Sequence, residues 1–274
     1  MSLKKFWSVL LNLLIYVVIW YGNFGFCLFA YEKLGALNAG LKQWLDANFF
    51  VTFIVACLIG IALIFLAARL KKKTIAEQCG FKKISFKQFL AAAGYGIGIG
   101  LFSSCFIGID FLKNTFPSIP GYFTFLISVN FAFFLLLGAL DATFKEMLFR
   151  GGIFTELRQN MPVLLAIFIQ AVLYACLLFN SDLPTRVYGF CGNFLFAVMF
   201  VAIGSLWGSI LVAFFCYLSL YGFGNIIIHN QPFFNHNPWL MYLMLAASLI
   251  VIVIPFFFLG KKSQVAAQTN TSVG

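Results

Sequence analysis

The sequence predicts an all-α membrane protein, a polytopic helix bundle of about eight transmembrane helices forming one domain over residues 1–274. Three observations carry that reading. Hydrophobic residues make up 62% of the chain and charged residues 9%, with mean hydropathy +0.98, against roughly a quarter charged in soluble domains. Apolar runs near the length of about 20 residues that a helix needs to cross hydrocarbon recur from end to end. The remaining charges gather at the ends of those runs, as topology signals do. The net charge of +10 therefore marks contact with the lipid bilayer rather than with nucleic acid.

Taken in order, Lys4 and Lys5 precede an apolar run over 6–30 that is too long for a signal sequence and lacks a small-x-small cleavage site, so it is expected to stay as the first span. The stretch 31–48, with Glu32, Lys33, Lys42 and Asp46 nearly balanced, is expected as an outer loop, and 49–68 as the second span. Residues 69–88 carry Arg69, Lys71, Lys72, Lys73, Lys82, Lys83 and Lys87 against Glu77 alone. The positive-inside rule puts that loop in the cytoplasm. The third span, 89–109, holds Gly94, Gly96, Gly98 and Gly100, a spacing that lets helix backbones pack closely.

An outer loop over 110–121, with Pro117 and Pro120, leads to a fourth span over 122–140. Residues 141–160 then form a charged helix expected to return toward the membrane from inside. Pro162 opens a fifth span to Phe179, 180–186 is a short outer turn, 187–202 a sixth span and 204–221 a seventh. A polar loop with His229 and His236 separates it from the eighth, 239–259, which Lys261 and Lys262 stop ahead of a polar cytoplasmic tail, 261–274. With eight spans both termini are cytoplasmic, because the N-terminal lysines, the basic loop, Lys145, Arg150, Arg158 and the last lysines then share one side.

The seven cysteines lie mostly inside apolar runs with no C-x-x-C spacing, which predicts neither disulfides nor a zinc site. The spacing of His229 and His236 is no helical metal pair, so no metal and no cofactor is expected. No internal repeat points to a two-halved transporter, and the isolated amides Asn130, Gln170 and Asn193 are expected to join helices by hydrogen bonds.

Chemistry concentrates at Lys145-Glu146-Met147-Leu148-Phe149-Arg150-Gly151. Two intrahelical ion pairs are available there, Asp141 with Lys145 and Glu146 with Arg150, each one turn apart. This stretch resembles the first motif, Glu-Glu-x-x-x-Arg, of the CPBP family of CAAX-protease and bacteriocin-processing (Abi) intramembrane proteases. Glu146 and Arg150 match, and Lys145 replaces the first glutamate. The family's second motif, Phe-x-x-x-His, falls with Tyr174 at the Phe and Leu178 at the His. Its third opens well on Gly204-Ser205-Leu206-Trp207-Gly208-Ser209-Ile210, after which Ala213 and Tyr217 occupy the later His and Asn positions.

The resemblance implies a CPBP-like helix bundle with a family-like core over about 80–221, in a bacterial cell membrane. It also implies a fold that hydrolyses peptide bonds in the membrane by a glutamate and histidine that activate water, with a later His and Asn holding the oxyanion. Here Lys145, Leu178, Ala213 and Tyr217 replace that set, leaving Glu146 and Arg150 as its remnant. The expected function is a non-catalytic binding or regulatory protein whose partner is a membrane protein or a membrane-embedded peptide. The alternative is an intramembrane endopeptidase with an altered catalytic set.

Overall fold

The computed structural model describes residues 3–178 and 182–259. The expectations for Phe179, for the first part of the outer turn and for the 261–274 tail lie outside the described residues, as do the side chains of Lys4 and Lys5. All regular structure among the described residues is helical. In order it runs α1 (Leu3–Leu37), α2 (Ala39–Ala47), α3 (Phe49–Leu70), α4 (Ile75–Cys79), α5 (Phe86–Gly108), α6 (Asp110–Thr115), α7 (Ser118–Ile127) and α8 (Phe131–Glu146). A π-helical stretch, Met147–Phe154, joins α8 to α9 (Thr155–Arg158), and α10 (Val163–Leu178), α11 (Leu183–Ile203), α12 (Leu206–His229), α13 (Gln231–His236) and α14 (Pro238–Leu259) complete the chain.

Six of these helices are long and apolar enough to cross a membrane, or seven if α7 and the helix after it count as one broken span. The expected count of about eight is corrected accordingly. Each of the eight expected segments is helical among the described residues, but the fourth is broken and α10 is described over 16 residues only.

Three further expectations change. The outer loops are largely helical: α2 fills much of 31–48, with Asn38 capping its free amides, and α6 and α7 occupy most of 110–121. The histidine loop is the end of α12 plus α13. Most consequentially, the charged helix does not return separately from the inside. Phe131–Arg158 is continuous and bends 117° away from α7, with the Asn130 side chain capping its start. Charge had suggested an interface, but Lys145 and Arg150 are ion-paired within the bundle, so neither counts as an inside-loop charge.

Local signals fix the entrances to the core. Thr74 and Glu77 form a capping box on α4, Gly80 ends it in the left-handed region (φ 72°), and Ser85 and Gln88 form a second box on α5; each box satisfies otherwise orphaned amides. The glycine stripe does what its spacing predicts. A Cβ at Gly96 would lie 2.4 Å from the Val212 carbonyl oxygen and one at Gly100 2.3 Å from that of Cys216, so α5 rests directly on the backbone of α12. On the other side of the charged helix, Tyr16, Trp20, Phe144, Phe149 and Phe154 form a buried cluster from α1, α8 and the π-helical stretch.

Candidate functional site

The site is built on one helix. Asp141, Lys145 and Glu146 lie on α8, and Arg150 lies in the π-helical stretch, whose wider turns shift the register of everything after it. That stretch packs tightly: a Cβ at Gly151 would meet Cys79 Sγ at 2.7 Å, and one at Gly152 would meet the Tyr16 ring at 2.5 Å. Its far end is tied down by Glu156, which pairs with Lys71 at 2.6 Å and accepts from Asn12 at 3.1 Å.

Two polar clusters follow. In the first, Arg150 Nη1 donates to Glu146 Oε1 at 2.9 Å, and Ser209 Oγ donates to Glu146 Oε2, so both carboxylate oxygens are engaged. Arg150 Nη2 donates to the Asn193 backbone oxygen at 3.1 Å. With its amide oxygen turned toward the guanidinium, Asn193 also accepts from both terminal nitrogens at 3.1 Å and donates to Gln170 Oε1 at 3.1 Å. Glu146 and Arg150 are 3% and 1% exposed, a depth at which charges persist only when paired and hydrogen-bonded. Gln170 and Asn193 thus join α10 to α11, as expected of them.

In the second cluster, Lys145 pairs with Asp141 at 2.7 Å, Tyr217 Oη donates to Asp141 Oδ2 at 2.5 Å, and Lys145 Nζ donates to Tyr217 Oη at 3.3 Å. The two expected intrahelical ion pairs are therefore both present. Glu146 and Arg150 are buried in the bundle, and Asp141 and Lys145 are half-buried beside the same cavity, rather than set at an interfacial helix start.

A cavity of about 560 Å³ brings these groups together. Glu146, Arg150, Lys145, Leu178, Ala213 and Tyr217, drawn from three separated stretches of sequence, all line it. Tyr174, the residue at the second motif's Phe position, lines it too, beside Phe149. Apolar and aromatic side chains supply most of the remaining wall, among them Trp20 and Phe24 of α1 and Phe134 of α8. Asn130 caps a helix and is exposed.

The opening of the third motif plays a structural part. Gly204 ends α11 in the left-handed region (φ 73°), and Ser205 Oγ both donates to the Lys82 carbonyl at 2.6 Å and accepts from its amide at 3.1 Å. It pins the basic loop to the start of α12. Ser209, one helical turn before Ala213, is the partner that sequence reasoning missed, although it stood inside the motif. His229 and His236 are exposed, bond through Nδ1 to carbonyls of their own helices and do not line the cavity.

Residues 126–219 match the family model of type II CAAX prenyl endopeptidase Rce1-like proteins. Over that segment the chain is similar to CAAX protease-like membrane proteins. The Rce1-like segment opens at the end of α7 and closes on α12, so it contains all three motif stretches that face the cavity and is narrower than the expected core. No curated protein and no solved structure matches the chain.

Proposed function

We propose that this CAAX protease-like protein is non-catalytic, and that its cavity holds a membrane partner in a binding or regulatory role in the membrane or cell envelope. One observation carries the reading: both oxygens of the Glu146 carboxylate are taken up inside the protein, by Arg150 and Ser209, with no imidazole among the described residues of the cavity wall. A general base must reach a water and be free to accept its proton. Lys145, ion-paired to Asp141, offers only donors. Leu178 and Ala213 offer no polar atom at the histidine positions.

A second reading, an endopeptidase with an altered catalytic set acting in CAAX-type processing or bacteriocin self-immunity, is favoured by one feature. Asp141 keeps a carboxylate on the cavity wall one turn before Lys145. The test is the full chain in liposomes with a farnesylated CAAX peptide, as wild type, Asp141→Asn and Glu146→Gln. Peptide left intact at the protein-free rate supports the binding reading. Cleavage by the wild type that is lost in either variant sinks it.

A further inference from the structure

The cavity wall is asymmetric in exposure. Among the described residues that line it, those exposed at the surface are Ser118, Tyr122 and Phe125, all on α7. Tyr122 and Phe125 are 43% and 44% exposed. The helix is anchored through Ile119, Phe123 and Ile127, which are buried in a cluster with Ile107, Leu220 and Ile227, and of these Ile119 and Phe123 also line the cavity. Across the gap stands α3, and the two helices meet through the stacked rings of Phe50 and Phe125, whose centroids are 4.8 Å apart at 23°. Both rings line the cavity. The surface edge of the cavity is therefore largely aromatic, and one ring pair spans it.

Among the described residues, the charged ones on the wall are Asp141, Lys145, Glu146 and Arg150, and they pair off to zero. A ligand with a net charge would introduce an uncompensated charge into a low-dielectric space, at a steep desolvation cost. An uncharged head with a carbonyl or hydroxyl can instead exchange hydrogen bonds with Lys145, Tyr217 and Asp141 while its chain lies along the aromatic wall. The 560 Å³ volume falls within the range of about 300–1,000 Å³ of small-ligand sites, which suits one chain rather than two.

We propose that the cavity loads sideways from the bilayer through a portal between α3 and α7, closed here by Phe50 on Phe125, and takes a single-chain amphiphile with an uncharged carbonyl- or hydroxyl-bearing head. The proposal rests on reading the cavity as a binding site. It adds the route and the chemical class of what enters.

The test uses the full chain in phosphatidylcholine nanodiscs with two photoreactive diazirine probes of equal chain length, a monoacylglycerol and the corresponding fatty acid. Cross-linked residues are mapped by mass spectrometry, and the unbound probe is recovered and weighed. The neutral probe is expected to label the α8 and α12 stretches that face the cavity, with the fatty acid labelling them about tenfold less. Gly138→Leu should cut neutral labelling by a similar factor, because a Cβ at Gly138 points to Tyr217 at 3.8 Å and a longer side chain enters the cavity. Phe125→Ala should speed labelling without changing its final extent. Val253→Ala, on the lipid-facing surface of α14, should change neither.

Equal labelling by both probes, labelling indifferent to Gly138→Leu, or loading unchanged in Phe125→Ala overturns the proposal. If Gly138→Leu fails to fold, Gly138→Val gives the same reading with less bulk. Recovery of a hydrolysed probe from the cavity would instead overturn the binding reading, and so separates the two failures.

Discussion

Lys145 and Tyr217, on α8 and α12, meet at 3.3 Å and both close on Asp141. By the resemblance to the CPBP motifs, these positions correspond to the first glutamate and the late asparagine. The two replacements thus form one cluster in which a cation, a phenol and a carboxylate satisfy one another. Two independent losses would instead have left unmatched groups beside a cavity.

That mutual dependence predicts a graded response. Lys145→Met strands Asp141 and should cost about 3–5 kcal/mol. Tyr217→Phe removes the hydrogen bond donated to Asp141 and the longer one accepted from Lys145 but strands no charge, and should cost about 1.5–3 kcal/mol. The double variant Asp141→Asn/Lys145→Met removes both charges and should recover most of the loss. Reversible unfolding in detergent measures all three, and a double variant no better than Lys145→Met would refute the coupling.

Much of this arrangement was legible in the sequence. The positions of Lys145, Glu146, Arg150, Leu178, Ala213 and Tyr217 came from the resemblance to the motif spacings of the CPBP family, and the structure gathers all six around one cavity. Spacing works because a helix fixes which residues share a face, one turn after another. The depth of the charges was not legible. Hydropathy reads a charged stretch as an interface, since it cannot see that Ser209, Asn193 and Asp141 offset the cost of burial from other turns and other helices. The break between Ile127 and Phe131 was also hidden: no proline or glycine marks it, only the Asn130 cap. The part played by Trp20 and Phe24 depends on packing of α1 against a helix far along the chain, which leaves no local trace.

The contact between α1 and the π-helical stretch gives a second prediction. Gly152 faces the Tyr16 ring so closely that an added Cβ would stand 2.5 Å from Cε1. Tyr16 is itself held by Gln78, which donates to its hydroxyl at 2.9 Å. Gly152→Ala must therefore push the ring or the helix and should cost about 1–3 kcal/mol. Gly222→Ala, in α12 with open space around it, should stay within about 0.5 kcal/mol of wild type. Equal stability of the two variants in a thermal scan would refute the packing argument.

The turn before α11 predicts a pH response. Ser118, at the start of α7, donates to Asp182, whose other oxygen caps the Thr185 amide. Those hydrogen bonds hold the Asp182 carboxyl below its ordinary value. A depressed carboxylate contributes above its unfolded pKa and loses that contribution as pH falls through the folded one, so the tie to α7 should weaken below the usual carboxylate range. Hydrogen exchange of the α7 amides should accelerate on acidification, and Asp182→Ala should show the faster rate already at neutral pH. An acid-induced acceleration that persists unchanged in Asp182→Ala would assign it to another group.

If four replacements separate this cavity from a hydrolytic one, reversing them should restore hydrolysis. Lys145→Glu supplies a carboxylate with a route to a water, Leu178→His and Ala213→His supply imidazoles, and Tyr217→Asn supplies a neutral donor where an oxyanion would form. All four positions already line the same space, and Glu146 keeps its ties to Arg150 and Ser209. Asp141 must change as well, because Lys145→Glu would leave two carboxylates one turn apart and unpaired, so the design adds Asp141→Ala. The five-fold variant, in liposomes with a farnesylated CAAX peptide, should cleave where wild type does not. Returning position 145 to lysine alone should then cost about two orders of magnitude or more, the usual worth of a positioned base. A folded five-fold variant that leaves the peptide intact would mean that these positions do not by themselves decide whether the cavity hydrolyses.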